Sequence, residues 1–136
     1  MKENYTHIRL LLVLIIATAL SFSAYAQPPG WTYSQAYHVT ENSGVSLQDY
    51  QVRLTLNTQA LIAAGQMNAD GSDLRFSVDC GAGASFLDYY IVDGLNTTTT
   101  TIWIKIQVIL ANSTIPLYVF YGNPSATAMS SIGLLH

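Results

Sequence analysis

Two groups of carboxylates and one set of aromatic rings are the residues of this 136-residue chain whose types and spacing could support chemistry. Asp70-Gly71-Ser72-Asp73 with Asp79 offers oxygen ligands of the kind calcium takes. A helix-loop-helix calcium loop needs acids at alternate positions and a distal glutamate, and this segment has neither. Asp-Gly is first of all a turn former. Asp88 and Asp93 invite comparison with the acid–base pair of glycoside hydrolysis, which needs two carboxyls roughly 5–10 Å apart. On a regular strand these two have opposite parity and are expected on opposite faces. A nucleophilic triad lacks its histidine, because beyond position 26 only His38 and the terminal His136 remain. No Gly-x-Ser-x-Gly elbow is present either. Gly81-Ala82-Gly83 lacks the strand–helix context of a dinucleotide loop. The expectation is a protein without catalytic activity, metal or cofactor.

The aromatic residues carry more information. Ile102, Ile104 and Ile106 alternate with Trp103 and Lys105, and Ile115, Leu117, Val119 and Tyr121 share a parity opposite Tyr118 and Phe120. If the aliphatic parities form the core, Trp103, Tyr118 and Phe120 are expected together on an outer face, beside Lys105 and Asp88. A flat aromatic platform of that kind suits stacking on sugar rings, and an exposed apolar patch generally marks a partner. The alternative is a second layer, a loop or a neighbouring domain covering the rings.

Positioning these residues requires strands. From Trp31 to Thr40, Trp31, Tyr33, Tyr37 and Val39 alternate with polar neighbours, and Tyr50, Val52, Leu54 and Leu56 do so again. Glu41-Asn42-Ser43-Gly44 between them is turn chemistry. Asn57 or Thr58 can cap a short helix over Gln59–Ala64, with Gly65 ending it. Further strands are expected over Leu74–Val78, over Phe86–Val92, and from the threonine run Thr97–Thr101 into Ile106. A last strand runs from Ile115 to Tyr121, where Pro116 points to an edge or bulge. Asn96-Thr97-Thr98 and Asn112-Ser113-Thr114 match the N-glycosylation triplet but read as turns. Six short strands and one helix predict an all-β fold, an antiparallel β-sandwich of jelly-roll or immunoglobulin-like kind, with a partly closed barrel as the alternative.

The beginning of the chain reads as an export signal. Lys2 and Arg9 precede the uncharged run Leu10–Leu20, and Ala24-Tyr25-Ala26 supplies small residues for cleavage before Gln27. That run is 11 residues, short of the roughly 20 a membrane-spanning helix needs. The expected organisation is a signal peptide over 1–26, a sandwich domain over 27–124 and a linker-like tail over 125–136. Localisation would be secreted, periplasmic or cell-surface, with no membrane attachment after cleavage. Beyond residue 26, Arg53, Arg75 and Lys105 stand against seven acids, a net charge of −4. Three scattered cations cannot displace the counterions of nucleic acid. Cys80 is the single cysteine, so no intrachain disulfide can form, and a small buried thiol is the expectation.

Tyr50-Gln51-Val52-Arg53-Leu54, Asp70-Gly71-Ser72-Asp73-Leu74-Arg75-Phe76, Ile102-Trp103-Ile104-Lys105-Ile106 and Tyr121-Gly122-Asn123-Pro124 occur in this order. Together they resemble the domain-of-unknown-function family 2341 of exported bacterial and archaeal proteins, over about Trp31 to Ala128. The resemblance implies no activity and no catalytic residues, since the family has none assigned. It implies a module of larger surface or secreted proteins, often beside lectin-like sandwich domains. Ile91-Val92-Asp93 departs from the tryptophan or tyrosine, isoleucine and acid that the family's pattern would place there. The expected function is a non-catalytic structural or adhesive accessory domain of a secreted or cell-surface protein. The second expectation is a carbohydrate-binding module using Trp103, Tyr118, Phe120 and Lys105, and the third a polysaccharide hydrolase fragment. The expected partner is a polysaccharide or a neighbouring domain.

Overall fold

A computed structural model describes residues 27–131. The signal peptide placed over 1–26 and the last five residues of the tail lie outside them. Six strands form: β1 Tyr33–Thr40, β2 Leu47–Leu56, β3 Arg75–Ser77, β4 Tyr89–Asp93, β5 Thr100–Ile109 and β6 Thr114–Tyr121. One helix, α1 Thr58–Ala63, follows β2. The strands make two three-stranded antiparallel sheets, ordered β1-β6-β3 and β2-β5-β4. The expected antiparallel sandwich with one short helix is the fold.

The two sheets face each other because each has one apolar parity. Ile102 and Ile104 of β5 and Leu56 of β2 bury against Phe76 of β3 and Leu117, Val119 and Tyr121 of β6. Phe76 and Tyr89 meet across the interface edge to face, 5.0 Å between centroids. The buried Tyr89 hydroxyl donates to the Leu74 carbonyl at 2.9 Å, which satisfies the polar atom that burial would otherwise leave costly.

Connections decide which faces look outward. Only β4 and β5 are consecutive and paired; β5 and β6 are consecutive but central in different sheets. The Leu110–Ser113 turn is therefore an arch from one sheet to the other, with Asn112 at φ 54. Asn96, in the turn before β5, is likewise left-handed at φ 60, a conformation asparagine tolerates better than most residues. Glu41 pins the arch to the β1–β2 loop. Its carboxylate accepts from the Asn112 N–H at 2.9 Å, the Ser43 N–H at 2.6 Å and the Gly44 N–H at 3.1 Å, and from the Ser43 hydroxyl.

These donors, the Ser43 hydroxyl first and the Asn112 amide next, hold Glu41 down from its ordinary 4.5 to about 2. A carboxylate depressed in the folded state contributes stability above its unfolded value and loses it as pH falls through the folded one. Denaturant titrations should therefore show stability falling between pH 4.5 and 2, and Glu41→Gln should flatten that part of the profile. An unchanged slope would contradict the role given to this loop.

Some elements differ from the sequence expectation. Strand β1 begins at Tyr33, because Trp31 turns aside and its Nε1 donates to the Asp73 carbonyl at 2.7 Å. Thr97–Thr99 form a turn rather than strand; the Thr97 and Thr100 hydroxyls both donate to the Gly94 carbonyl. The helix forms where its cap predicts, with Asn57 Oδ1 accepting from the Ala60 N–H at 3.0 Å. Pro116 sits where β3, which reaches only to Tyr118, has left β6 unpaired on one side. The tail read as linker-like is docked as far as Ser131. Arg75 donates to the Thr127 carbonyl at 2.6 Å, and Ser131 N–H donates to the Tyr89 carbonyl at 2.9 Å.

Candidate functional site

The expected platform does not assemble. Since β5 and β6 belong to different sheets that bury their aliphatic parities against each other, their outer parities point in opposite directions. Trp103 and Lys105 lie on the outer face of β2-β5-β4, while Tyr118 and Phe120 lie on the outer face of β1-β6-β3. The sequence pattern correctly separates inner from outer parity on β5 and β6. What it lacks is the sheet to which each strand belongs.

The Tyr118–Phe120 side is a second small core. Phe120 is fully buried, which removes it from any binding surface. Phe86, from the segment between β3 and β4, packs 6.4 Å from it, and Tyr118 stacks against it at 6.3 Å. Trp31 meets Phe86 edge to face at 5.1 Å. The Arg75 guanidinium lies 5.3 Å from the Trp31 ring centroid and 5.8 Å from that of Phe86. It donates to the carbonyls of Ser72 and Leu74 at 2.9 and 2.7 Å. A covering layer is thus present on this side.

The other outer face is built differently. Residues directly opposite on antiparallel strands share a face. Arg53 on β2 stands opposite Trp103, and Tyr90 on β4 stands opposite it on the other side. Arg53, Trp103 and Tyr90 therefore form one row across three strands, spaced by about 4.8 Å per strand. Gln51 and Lys105 pair in the next row, where Asp88 extends β4 with its carbonyl accepting from the Lys105 N–H at 3.0 Å. Thr55, Thr101 and Asp93 form the third row. Trp103 and Tyr90 are half-buried, while Arg53, Thr55, Asp88, Asp93 and Gln107 are exposed. A second layer would have buried those five. Lys105 Nζ lies 3.5 Å from Asp49 Oδ1, beside a shallow cleft that Asp49, Phe86, Leu87, Asp88 and Gln107 also line.

Asp93 reaches this face through a β-bulge between Ile91 and Asp93, which places it opposite Thr101. The regular-strand parity that would set Asp88 and Asp93 on opposite faces is thereby overturned. They still do not form a hydrolytic pair. Four residues of β5 separate their partner positions, roughly 13 Å by strand rise, beyond the roughly 5–9.5 Å that glycoside hydrolysis uses.

The Asp70–Asp73 segment is occupied by the fold itself. Asp70 Oδ1 accepts from the Ser72 N–H at 3.0 Å. Asp73 is fully buried, and its two oxygens take the N–H groups of Asn68 at 3.0 Å, Gly122 at 2.8 Å and Asn123 at 3.3 Å. Asp-Gly-Ser-Asp-Leu-Arg-Phe and Tyr-Gly-Asn-Pro are therefore two halves of one knot. Residues 70–133 match the family model described as a domain of unknown function, DUF2341. The chain resembles that family over this stretch. The DUF2341 match includes both halves of the knot, together with Tyr90, Trp103 and Lys105, and leaves Arg53 and the Tyr50–Leu54 segment outside. No curated protein and no solved structure matches the chain.

Gln51, Arg53, Tyr90, Thr55 and Thr101 belong to the open face and are not among the sequence candidates. Tyr90 was visible only as one of several aromatics near Phe86. Its place beside Trp103 follows from the β4–β5 register, which a single sequence does not state. His38 is exposed and Cys80 is a half-buried free thiol.

Proposed function

We propose that this chain is an exported, non-catalytic adhesive module that binds polysaccharide on the outer face of β2-β5-β4. The observation that carries the reading is the row Arg53–Trp103–Tyr90 on a face whose neighbours remain exposed. Two aromatic side chains standing adjacent on a twisted but open sheet present apolar surface to the C–H faces of sugar rings. Gln51, Lys105, Asp88, Thr55, Thr101 and Asp93 surround them with donors and acceptors for hydroxyl groups. A small number of polar groups around an apolar centre is the usual composition of a ligand surface. Export is supported by the Lys2–Ala26 pattern, and an accessory role by the resemblance to DUF2341.

Pull-down of the purified protein on a panel of insoluble polysaccharides tests this reading. Binding to at least one glycan is expected, lost in Trp103→Ala and retained in a folded Tyr118→Ala, whose ring is on the opposite side. Loss with Tyr118→Ala and retention with Trp103→Ala would refute the assignment of the face.

A further inference from the structure

We propose that the polysaccharide bound by this face carries carboxylate groups and that Arg53 receives them. The proposal rests on the reading of the face as a glycan platform and names the class of sugar it takes. Arg53, Arg75 and Lys105 are the cations of residues 27–131. Arg75 is buried, on the far side of the sandwich, against Trp31 and Phe86. Both remaining cations flank Trp103: Arg53 directly across on β2, Lys105 two residues further along β5. In a domain of net charge −4, this is a local reversal of sign at the aromatic centre, the kind of feature that steers and selects charged ligands.

The two cations are not equivalent. Lys105 has Asp49 at 3.5 Å, and Asp88 shares its cleft, so carboxylates of the protein already stand beside it. Arg53 is exposed and makes no ion pair among the described residues. Its guanidinium is a planar fork that fits a carboxylate through two parallel hydrogen bonds. A uronic acid unit presents both complementary features, an apolar ring face for Trp103 and a carboxylate at the ring's rim for Arg53.

The opposite side of the face adds direction. Asp88 and, through the bulge, Asp93 stand on either side of Tyr90 along β4. They repel a carboxylate placed over β4, and such repulsion specifies orientation as much as attraction does. The acid groups of the polymer are therefore turned away from β4 and toward β2, the strand that carries Arg53.

Affinity electrophoresis of the protein, expressed from its full chain and purified, in gels containing polygalacturonate, hydroxyethyl cellulose or chitosan separates the outcomes. Polygalacturonate should retard the protein most, and added salt should weaken the retardation. Arg53→Gln should weaken it about tenfold at an unchanged thermal midpoint, and Asp88→Asn should strengthen it. Equal retardation by the neutral polymer with no effect of Arg53→Gln would overturn the carboxylate assignment; loss of that retardation in Trp103→Ala would leave the platform standing. Preference for chitosan would overturn it in favour of Asp88 and Asp93 as the selecting charges. Absence of retardation by all three polymers would overturn this assignment, and the polysaccharide panel then decides whether the platform reading falls with it.

Discussion

Replacing Asp73 with alanine should lower the unfolding free energy by about 3–5 kcal/mol, on the order of 15 °C in thermal midpoint. The side chain is fully buried, and both of its oxygens are engaged by backbone N–H groups of Asn68, Gly122 and Asn123. Removing a partner costs more than the net worth of the bond, because three half-buried donors lose one shared acceptor and regain only part of the water they had in the unfolded chain. Close packing at Gly122 limits how far the loop can relax to recover the rest. Gly122 has φ +85, and a Cβ there would stand 2.5 Å from Tyr33 Cδ2, so the backbone is tightly packed against β1. The same knot holds Trp31 through the Asp73 carbonyl, and Trp31 in turn covers Arg75. Asp73→Asn should fall between the parent and Asp73→Ala, since it keeps one acceptor but turns an NH2 toward existing donors. Urea titration of the three proteins checks this, and a loss under about 1 kcal/mol for the alanine variant would contradict the structural role.

The largest expected effect on binding belongs to Trp103→Ala, a loss of about 2 kcal/mol or more, roughly thirtyfold in affinity. Trp103 is the centre of its row, with Arg53 and Tyr90 directly on either side. Central aromatic anchors dominate binding surfaces because they combine large apolar area with few rotatable bonds. The fold should survive the change, since Ile102 and Ile104, not Trp103, belong to the core. Isothermal titration with the bound glycan, beside a thermal melt, separates the two effects. A variant that binds normally would remove Trp103 from the account.

How far these features were legible in the sequence depends on how local their causes are. The parity of β5 is written in Ile102, Ile104 and Ile106, and the start of α1 in Asn57, because burial alternation and capping act over a few residues. The Thr97–Thr101 run misleads for the same reason: β propensity argues for strand, yet two hydroxyls are engaged by the Gly94 carbonyl. The bulge at Val92 is a single inserted residue that moves Asp93 to the face of Asp88, and nothing in Ile91-Val92-Asp93 announces it. The arch between β5 and β6 was equally hidden. Leu110–Ser113 serves as well for a hairpin as for a crossing between sheets, and only the mutual burial of the two aliphatic faces selects the crossing. That selection divides Trp103 and Lys105 from Tyr118 and Phe120 and brings Arg53 and Tyr90 into their place.

Resonance mapping of the isotopically labelled protein during titration with one uronate and one neutral oligosaccharide tests the assignment of the binding face most directly. The account predicts perturbation of the amides of Gln51, Arg53, Tyr90, Thr101 and Lys105 and of the Trp103 indole, with Ser34, Ala36 and Tyr118 unmoved. Perturbation centred on the Ser34, Ala36 and Tyr118 face, or none with either sugar, would contradict it.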